Sequence, residues 1–232
     1  MLLKIILLSF VSGITILIGG AAGRVLETRK PGKEFIHASV AFGGGILLSA
    51  VSFVLAPKAE QGLSIPMIFL TFFGGAVCFY LLDKSLEKRG GRVAQLLAMM
   101  MDFIPEVIAM GAVFGHDPKL GFILALFIGL QNLPESFNSY MDLRESQMKP
   151  RHILLTFLPL SLSGIVGALV GYYLLTGSTT LIATLMSFAS GGIVYLMFQD
   201  IAPLSHMRNR WSPALGASLG FLVGMVGEKL LG

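Results

Sequence analysis

The sequence predicts an all-α membrane protein, a bundle of eight transmembrane helices, and three observations carry that reading. Of the 232 residues, 54% are hydrophobic and only 13% charged, with a mean hydropathy of +0.79; a soluble domain carries about a quarter charged residues. Apolar runs long enough to cross about 30 Å of hydrocarbon recur along the whole chain. Lysine and arginine gather in every second gap between them.

The first run lies in "MLLKIILLSFVSGITILIGGAAGRV". At about 18 residues it exceeds the usual signal-peptide core, so it is read as a retained helix. The remaining spans are predicted near 36 to 57, 64 to 83, 93 to 114, 119 to 141, 152 to 176, 180 to 202 and 212 to 231, the first covering 3 to 23. Backbone groups in lipid must be satisfied within the protein, which leaves helices or a closed barrel. These runs lack the period-2 alternation of barrel strands. The connections are short, so residues 1–232 form a single transmembrane domain.

Orientation follows from the basic residues. Odd-numbered connections hold Arg24, Arg29, Lys30 and Lys33, then Lys84, Lys88, Arg89 and Arg92, then Arg144, Lys149 and Arg151, then Arg208 and Arg210. The opposite side holds Lys4, Lys58, Lys119 and Lys229. Cytoplasmic loops are enriched in lysine and arginine, which predicts both termini outside, in a plasma membrane of bacterial type. The net charge of +4 is explained by this topology, and nucleic acid is not an expected partner. "LEKRGGR" reads as a solvated basic loop. The single cysteine, Cys78, excludes an internal disulfide and a cysteine-based metal cluster.

Gly216, Gly220 and Gly224 recur at four-residue steps in the last span, where a neighbouring backbone can approach closely. Packing inside the bundle is preferred; a homodimer face is the alternative. "AFGGGILLSAVSFVLAP" in the second span resembles "FASGGIVYLMFQDIAP" in the seventh, and the fourth and fifth spans share x-Pro-Glu. Paired spans run in opposite directions, the pattern of inverted repeats that place a substrate near the membrane midplane.

The fourth span reads "MDFIPEVIAMGA" and the fifth "LQNLPESFNSYM". Asp102 and Glu106 are four residues apart and share a helix face, as do Gln131 and Glu135, with Asn132 adjoining. All lie near the predicted mid-membrane level. An acidic group there costs about 3 kcal/mol on insertion scales and marks an ion or proton path. Neither helix supplies a lysine or arginine at that depth, which leaves protonation, an aqueous cavity or a bound cation; a divalent cation takes oxygen ligands of these types. Pro105 and Pro134 each remove an N–H, so the carbonyls of Met101 and Leu130 lose their helical partners beside Asp102 and Gln131.

At these residues the chain resembles the ZIP family of divalent metal transporters, whose fourth and fifth spans carry His-Asn-x-Pro-Glu-Gly. "VSFVLAPKAE", "SGIVGALVG" and "GGIVYLMFQDIAP" extend the resemblance over the chain. It implies a ZIP-like bundle with inverted repeats, with Asp102 at the first His position, Phe103 at Asn, and Glu106 at Glu. Gln131 takes the fifth-span His position, Asn132 and Glu135 match, and Gly164 stands where a sixth-span Glu is frequent. Gln199 and Asp200 occupy what are commonly a His or Asp and a Glu near the cytoplasmic exit. Phe103 and Gly164 remove ligands from a second metal position, so one metal at most is expected. The surviving set has no imidazole and no sulfur, and oxygen ligands favour Mg, Ca or Mn over Zn; zinc is the default that the resemblance implies.

The leading expectation is a secondary transporter that moves a divalent cation toward the cytoplasm, with Asp102, Glu106, Gln131, Asn132 and Glu135 as its site and Asp200 as an inner relay. The cation is substrate, and no prosthetic cofactor is expected. The alternative is a transport-inactive ZIP-like sensor or scaffold, motivated by the missing histidines. An intramembrane enzyme is not expected, because no Ser-His pair, nucleotide loop or substrate motif accompanies the acids. His37, His116, His152 and His206 fall at span ends and read as surface residues, and Met99, Met100 and Met101 as packing.

Overall fold

The computed structural model describes residues 1–89 and 91–231, without the side chains of Arg89 and residues 93–95. Gly90 and the Arg89 side chain of the predicted basic loop therefore lie outside the described residues. Eight helices are long and apolar enough to cross a membrane among those residues. They are α1 (Leu2–Glu27), α2 (Lys33–Gly62), α3 (Ile65–Arg89), α4 (Gly91–Phe114), α5 (Pro118–Glu145), α6 (Pro150–Leu175), α7 (Thr179–Ser205) and α8 (Ser212–Leu231). Most predicted spans end within a few residues of these bounds; α3 runs further, to Arg89, because its amphipathic last turns stay helical after the apolar run stops.

Local chemistry sets the ends. Asp117 caps α5 by accepting from the Leu120 amide at 3.0 Å, with Pro118 at the first helical position. Ser178 caps α7 through the Leu181 amide at 3.2 Å. On the basic side three connections contain a left-handed residue, Lys30 (φ 50°), Gln147 (φ 61°) and Asn209 (φ 61°), and α4 begins on another, Gly91 (φ 75°). These tight turns keep the odd-numbered connections short.

The packing explains the repeat. α2 packs on α8, α3 on α7, α1 on α5 and α6, and α4 on α5 and α6. Exchanging α1 with α6, α2 with α7, α3 with α8 and α4 with α5 swaps α2–α8 with α3–α7 and α1–α5 with α4–α6, and leaves α1–α6 and α4–α5 as they are. Both α2 and α7 contain a π-helical segment, Val51–Leu55 and Met197–Ile201, each followed directly by Ala-Pro. The matching sequences thus share a matching local distortion, of a kind frequent at functional sites.

Glycines make these contacts close. A methyl group on Gly216 would strike the Ala38 carbonyl, and one on Gly220 the Phe42 carbonyl; Gly224 stands against the Ser49 side chain. The glycine ridge of α8 therefore faces α2 inside the chain. Its counterpart joins α7 to α3, with Gly191 against Phe72 and Gly75 against Phe188.

Two groups of helices result, α1/α4/α5/α6 and α2/α3/α7/α8, meeting chiefly where α2 crosses α5 and α4 crosses α7. The apolar core is uneven along the bundle. Val51, Val54, Val107, Met110, Phe127 and Met186 are buried on the side away from the basic connections. Toward the basic connections the two groups separate around a cavity.

Candidate metal centre

Asp102 lies 11 residues from the start and 12 from the end of α4, and Gln131 lies 13 and 14 residues from the ends of α5. Both acid-bearing turns are therefore at mid-helix. Between them and α2 and α7 is a cavity of about 220 Å³ lined by Asp102, Gln131, Glu135 and Asp200, together with Gly43, Gly44, Asn138, Ser139 and Asp142. Along α5 this lining spans 11 residues, about 16 Å at 1.5 Å per residue. It reaches Leu204, 51% exposed, at the end of the bundle that carries the basic connections.

Four of the six residues singled out in the sequence thus share one cavity, and the other two sit behind it. Glu106, 6% exposed, accepts a hydrogen bond from the Gln131 side-chain nitrogen. Asn132 donates its amide to the Ser12 carbonyl of α1 at 3.0 Å, while its own carbonyl accepts from the Ser136 hydroxyl. Asn132 therefore fastens α5 to α1. Asp200 occupies the π-helical segment of α7, five residues before Ser205, so it stands nearer the basic end than the α4–α5 pair.

Two oxygens in this site lack partners. Asp102 Oδ1 and Gln131 Oε1 are both buried without a hydrogen bond. A buried acceptor left bare costs roughly 1–3 kcal/mol, and more if charged. Both belong to residues that line the cavity, and a cation that takes oxygen ligands would satisfy them. Among the described residues no three His, Cys, Asp or Glu side chains stand close enough to form a ready-made metal cluster. The arrangement instead mixes carboxylate and amide oxygens.

The second position implied by the family motif is filled with hydrocarbon. Phe103 is 1% exposed, and its ring lies where a side chain on residue 164 would go: a Cβ there would stand 2.7 Å from the ring tip. The loss of the α6 side chain and the gain of the α4 ring are one packing solution.

Asn138 and Asp142 were missed in the sequence. With Gln131 and Glu135 they fall at i, i+4, i+7 and i+11, one face of α5, and that spacing was the available signal. Asn138 donates to Asp142 at 3.1 Å. Beyond the cavity Tyr195 donates to Asp83 of α3 at 2.8 Å, and Asp83 and Glu87 lie within electrostatic range of Asp200. Acidic groups thus continue from mid-bundle to the basic end. The four histidines lie outside the cavity lining; His116, His152 and His206 are exposed, and His37 bonds the Leu204 carbonyl.

Comparison with curated proteins finds a relative that is a zinc transporter. The chain is 32% identical over 156 residues to the zinc transporter GufA of Myxococcus xanthus. Over that stretch the chain is similar to that transporter. The match covers 64% of this chain and 61% of that protein. No protein-family model matches the chain. The chain has x-Pro-Glu carboxylates on both helices, with Phe103 and Gly164 packed together beside them.

Proposed function

We propose that this chain is a secondary transporter that carries a divalent metal cation across the membrane toward the side bearing the basic connections. That side is the cytoplasm by the asymmetry of lysine and arginine, thirteen against four, which sets both termini outside. The observation that carries the reading is the pair of bare buried oxygens on Asp102 and Gln131, two residues that line a mid-helix cavity together with Glu135.

Asp102, Gln131 and Glu135 form the main station, Glu106 and Asn132 support it from behind, and Asp200 receives the ion on its way out. The site sits where the two helix groups meet, so movement of one group against the other would transfer access between the membrane faces. In the arrangement described, the cavity runs to the basic end and the opposite side is closed by core packing, which is the release-competent form. Zinc is supported by the name of the relative. The donor set favours harder ions, because amide and carboxylate oxygens suit manganese or magnesium better than they suit zinc.

Reconstituted vesicles loaded with a metal-sensitive dye test this directly. Uptake of Mn, Fe or Zn should fall at least about 100-fold in Asp102→Ala, Glu135→Ala, equivalent to about 2.7 kcal/mol. Unchanged uptake in that variant would remove the reading.

A second reading, a ZIP-like chain that binds cations without moving them, is favoured by one observation. Phe103 seals the second ligand position against Gly164. Saturable binding together with no flux for any of the three ions would select it.

A further inference from the structure

Two cavities on the α2/α3/α7/α8 group adjoin each other away from the acid-bearing turns. One, of about 450 Å³, lies at the basic end where α7 passes into α8, and His206, Arg208, Arg210 and Trp211 are among its walls. The other, of about 480 Å³, is a groove between α2, α7 and α8 with no charged side chain among its described lining residues. Ala202 and Ser205 line both. On α8 the lining passes from Ala214 to Ala217, Ser218 and Phe221, positions i, i+3, i+4 and i+7 of one helix face. That face carries the site about 10 Å from the loop toward the membrane interior.

Small residues make the groove. Ala41, Gly45, Ala202 and Ala217 form part of its wall, and Gly45 lets α2 approach the Ala217 carbonyl. Leu48, also in the wall, is exposed at the middle of α2, so in a membrane the groove opens to acyl chains. The loop end has the opposite character. Arg208 is exposed and has no ion-pair partner among the described residues, and Arg210 meets Glu34 at 3.5 Å. One carboxylate against two guanidinium groups leaves net positive charge there, beside an indole that is 83% exposed. Tryptophan favours the headgroup level of a bilayer, and basic pockets between spanning helices on the cytoplasmic side bind anionic headgroups.

We propose that α2, α7 and α8 hold one anionic diacyl phospholipid from the leaflet at the basic end, its phosphate at Arg208 and Arg210 and an acyl chain in the groove beside Phe221. A free anion would leave the apolar half empty, and a zwitterionic headgroup would bring its own cation to the arginines. Gly44 and Ile201 line both this groove and the cavity that contains Asp102 and Asp200, so the acyl chain lies on the far side of a shared wall. The assignment does not depend on which ion the chain carries.

The test titrates the full chain, stripped of lipid in detergent, with palmitoyl-oleoyl phosphatidylglycerol or with the phosphatidylcholine of the same chains, and native mass spectrometry counts the bound lipid. The parent should bind the anionic lipid about 10-fold more tightly. Arg208→Gln, Arg210→Gln should abolish that preference. Ser218→Phe, which fills the groove, should weaken both lipids at least about 5-fold. Arg29→Gln, Lys88→Gln removes as much charge from exposed positions at the same end and should keep the parent's preference.

Equal loss of preference in that control would overturn the site in favour of the general charge of the basic face. Equal binding of the two lipids by the parent would overturn it outright. Displacement of the anionic lipid by inorganic phosphate would show a soluble-anion site and overturn the lipid. If Ser218→Phe fails to fold, the arginine pair and its control, all exposed side chains, still decide.

Discussion

Helices α4 and α5 bear the same x-Pro-Glu at mid-membrane, yet the halves that follow it are opposites. Beyond Glu106, α4 continues with Ala109, Met110 and Val113, all buried in the apolar core. Beyond Glu135, α5 continues with Asn138, Ser139 and Asp142 on the cavity wall. The residues preceding the motif also differ. Asn132 bonds the backbone of α1, whereas its counterpart Phe103 packs on Gly164 of α6, the helix that replaces α1 under the internal exchange. Backbone symmetry therefore supplies two equivalent half-sites, while side-chain chemistry gives only the α5 half a polar route. Under the proposed transport, the lined direction is the direction of release.

The harshest way to break this comparison is to give α4 the chemistry of α5. Val113→Asp would place a carboxylate at a position 1% exposed among apolar neighbours, with no cavity to solvate it. Unpaired buried charge is among the costliest substitutions, and we expect a loss of at least about 3 kcal/mol. The measurement is the fraction of folded monomer surviving a heating series in detergent. Parent-like survival would mean that the half taken as closed core readily hydrates.

A smaller effect is expected at the second divergent pair. Gly164→Ala drives a methyl group into the Phe103 ring and should cost about 1–3 kcal/mol as overpacking. Phe103→Ala alone empties the same space and should cost about 3–5 kcal/mol, the usual range for a buried phenyl ring. The two sites touch, so the double variant should be more stable than the sum of the single losses predicts. Simple additivity, measured by the same heating series, would mean that ring and glycine are independent.

The parts legible in the sequence were those governed by the solvent. Lipid demands long apolar helices, so the eight spans could be read from hydropathy, and the doubled Pro-Glu stood out because charge there is costly. The paired second and seventh spans were legible as similar strings; the π segments before Ala56 and Ala202 were not, because an i+5 bond has no residue signature. Side-chain direction was least legible. Adjacent residues on a helix point about 100° apart, and Asn132, beside a site residue in sequence, turns to α1 instead. Conversely Asn138 and Asp142 share the face of Gln131 and Glu135, but they lie past the motif on which the reading was centred. Nothing in the string "LQNLPE" tells which end of an amide meets a carboxylate.

If the α5 half is the release route, its lower rungs should matter for rate more than for fold. Asp142→Ala leaves Asn138 without its acceptor at the cavity mouth. Transport should fall about 10-fold, equivalent to about 1.4 kcal/mol, with binding at the central station and thermal stability near those of the parent. Unchanged flux would mean that ions leave by the Asp200 side of the cavity alone.

The smallest change concerns which ion is preferred. Gln131→His would supply a nitrogen donor while still offering an N–H to Glu106, so at the proposed site the contact with Glu106 is kept and the donor atom changes from oxygen to nitrogen. Imidazole suits zinc, whereas amide oxygen suits manganese. The ratio of zinc to manganese affinity should therefore rise by about 5- to 10-fold, about 1 kcal/mol on the affinity scale. Equal weakening of both ions, with the ratio unchanged, would mean that residue 131 shapes the cavity without touching the ion. The symmetric experiment on α4, Asp102→His, sharpens the distinction: Asp102 lines the cavity with a charged oxygen, so that replacement should lower affinity for both ions as well as shift the ratio.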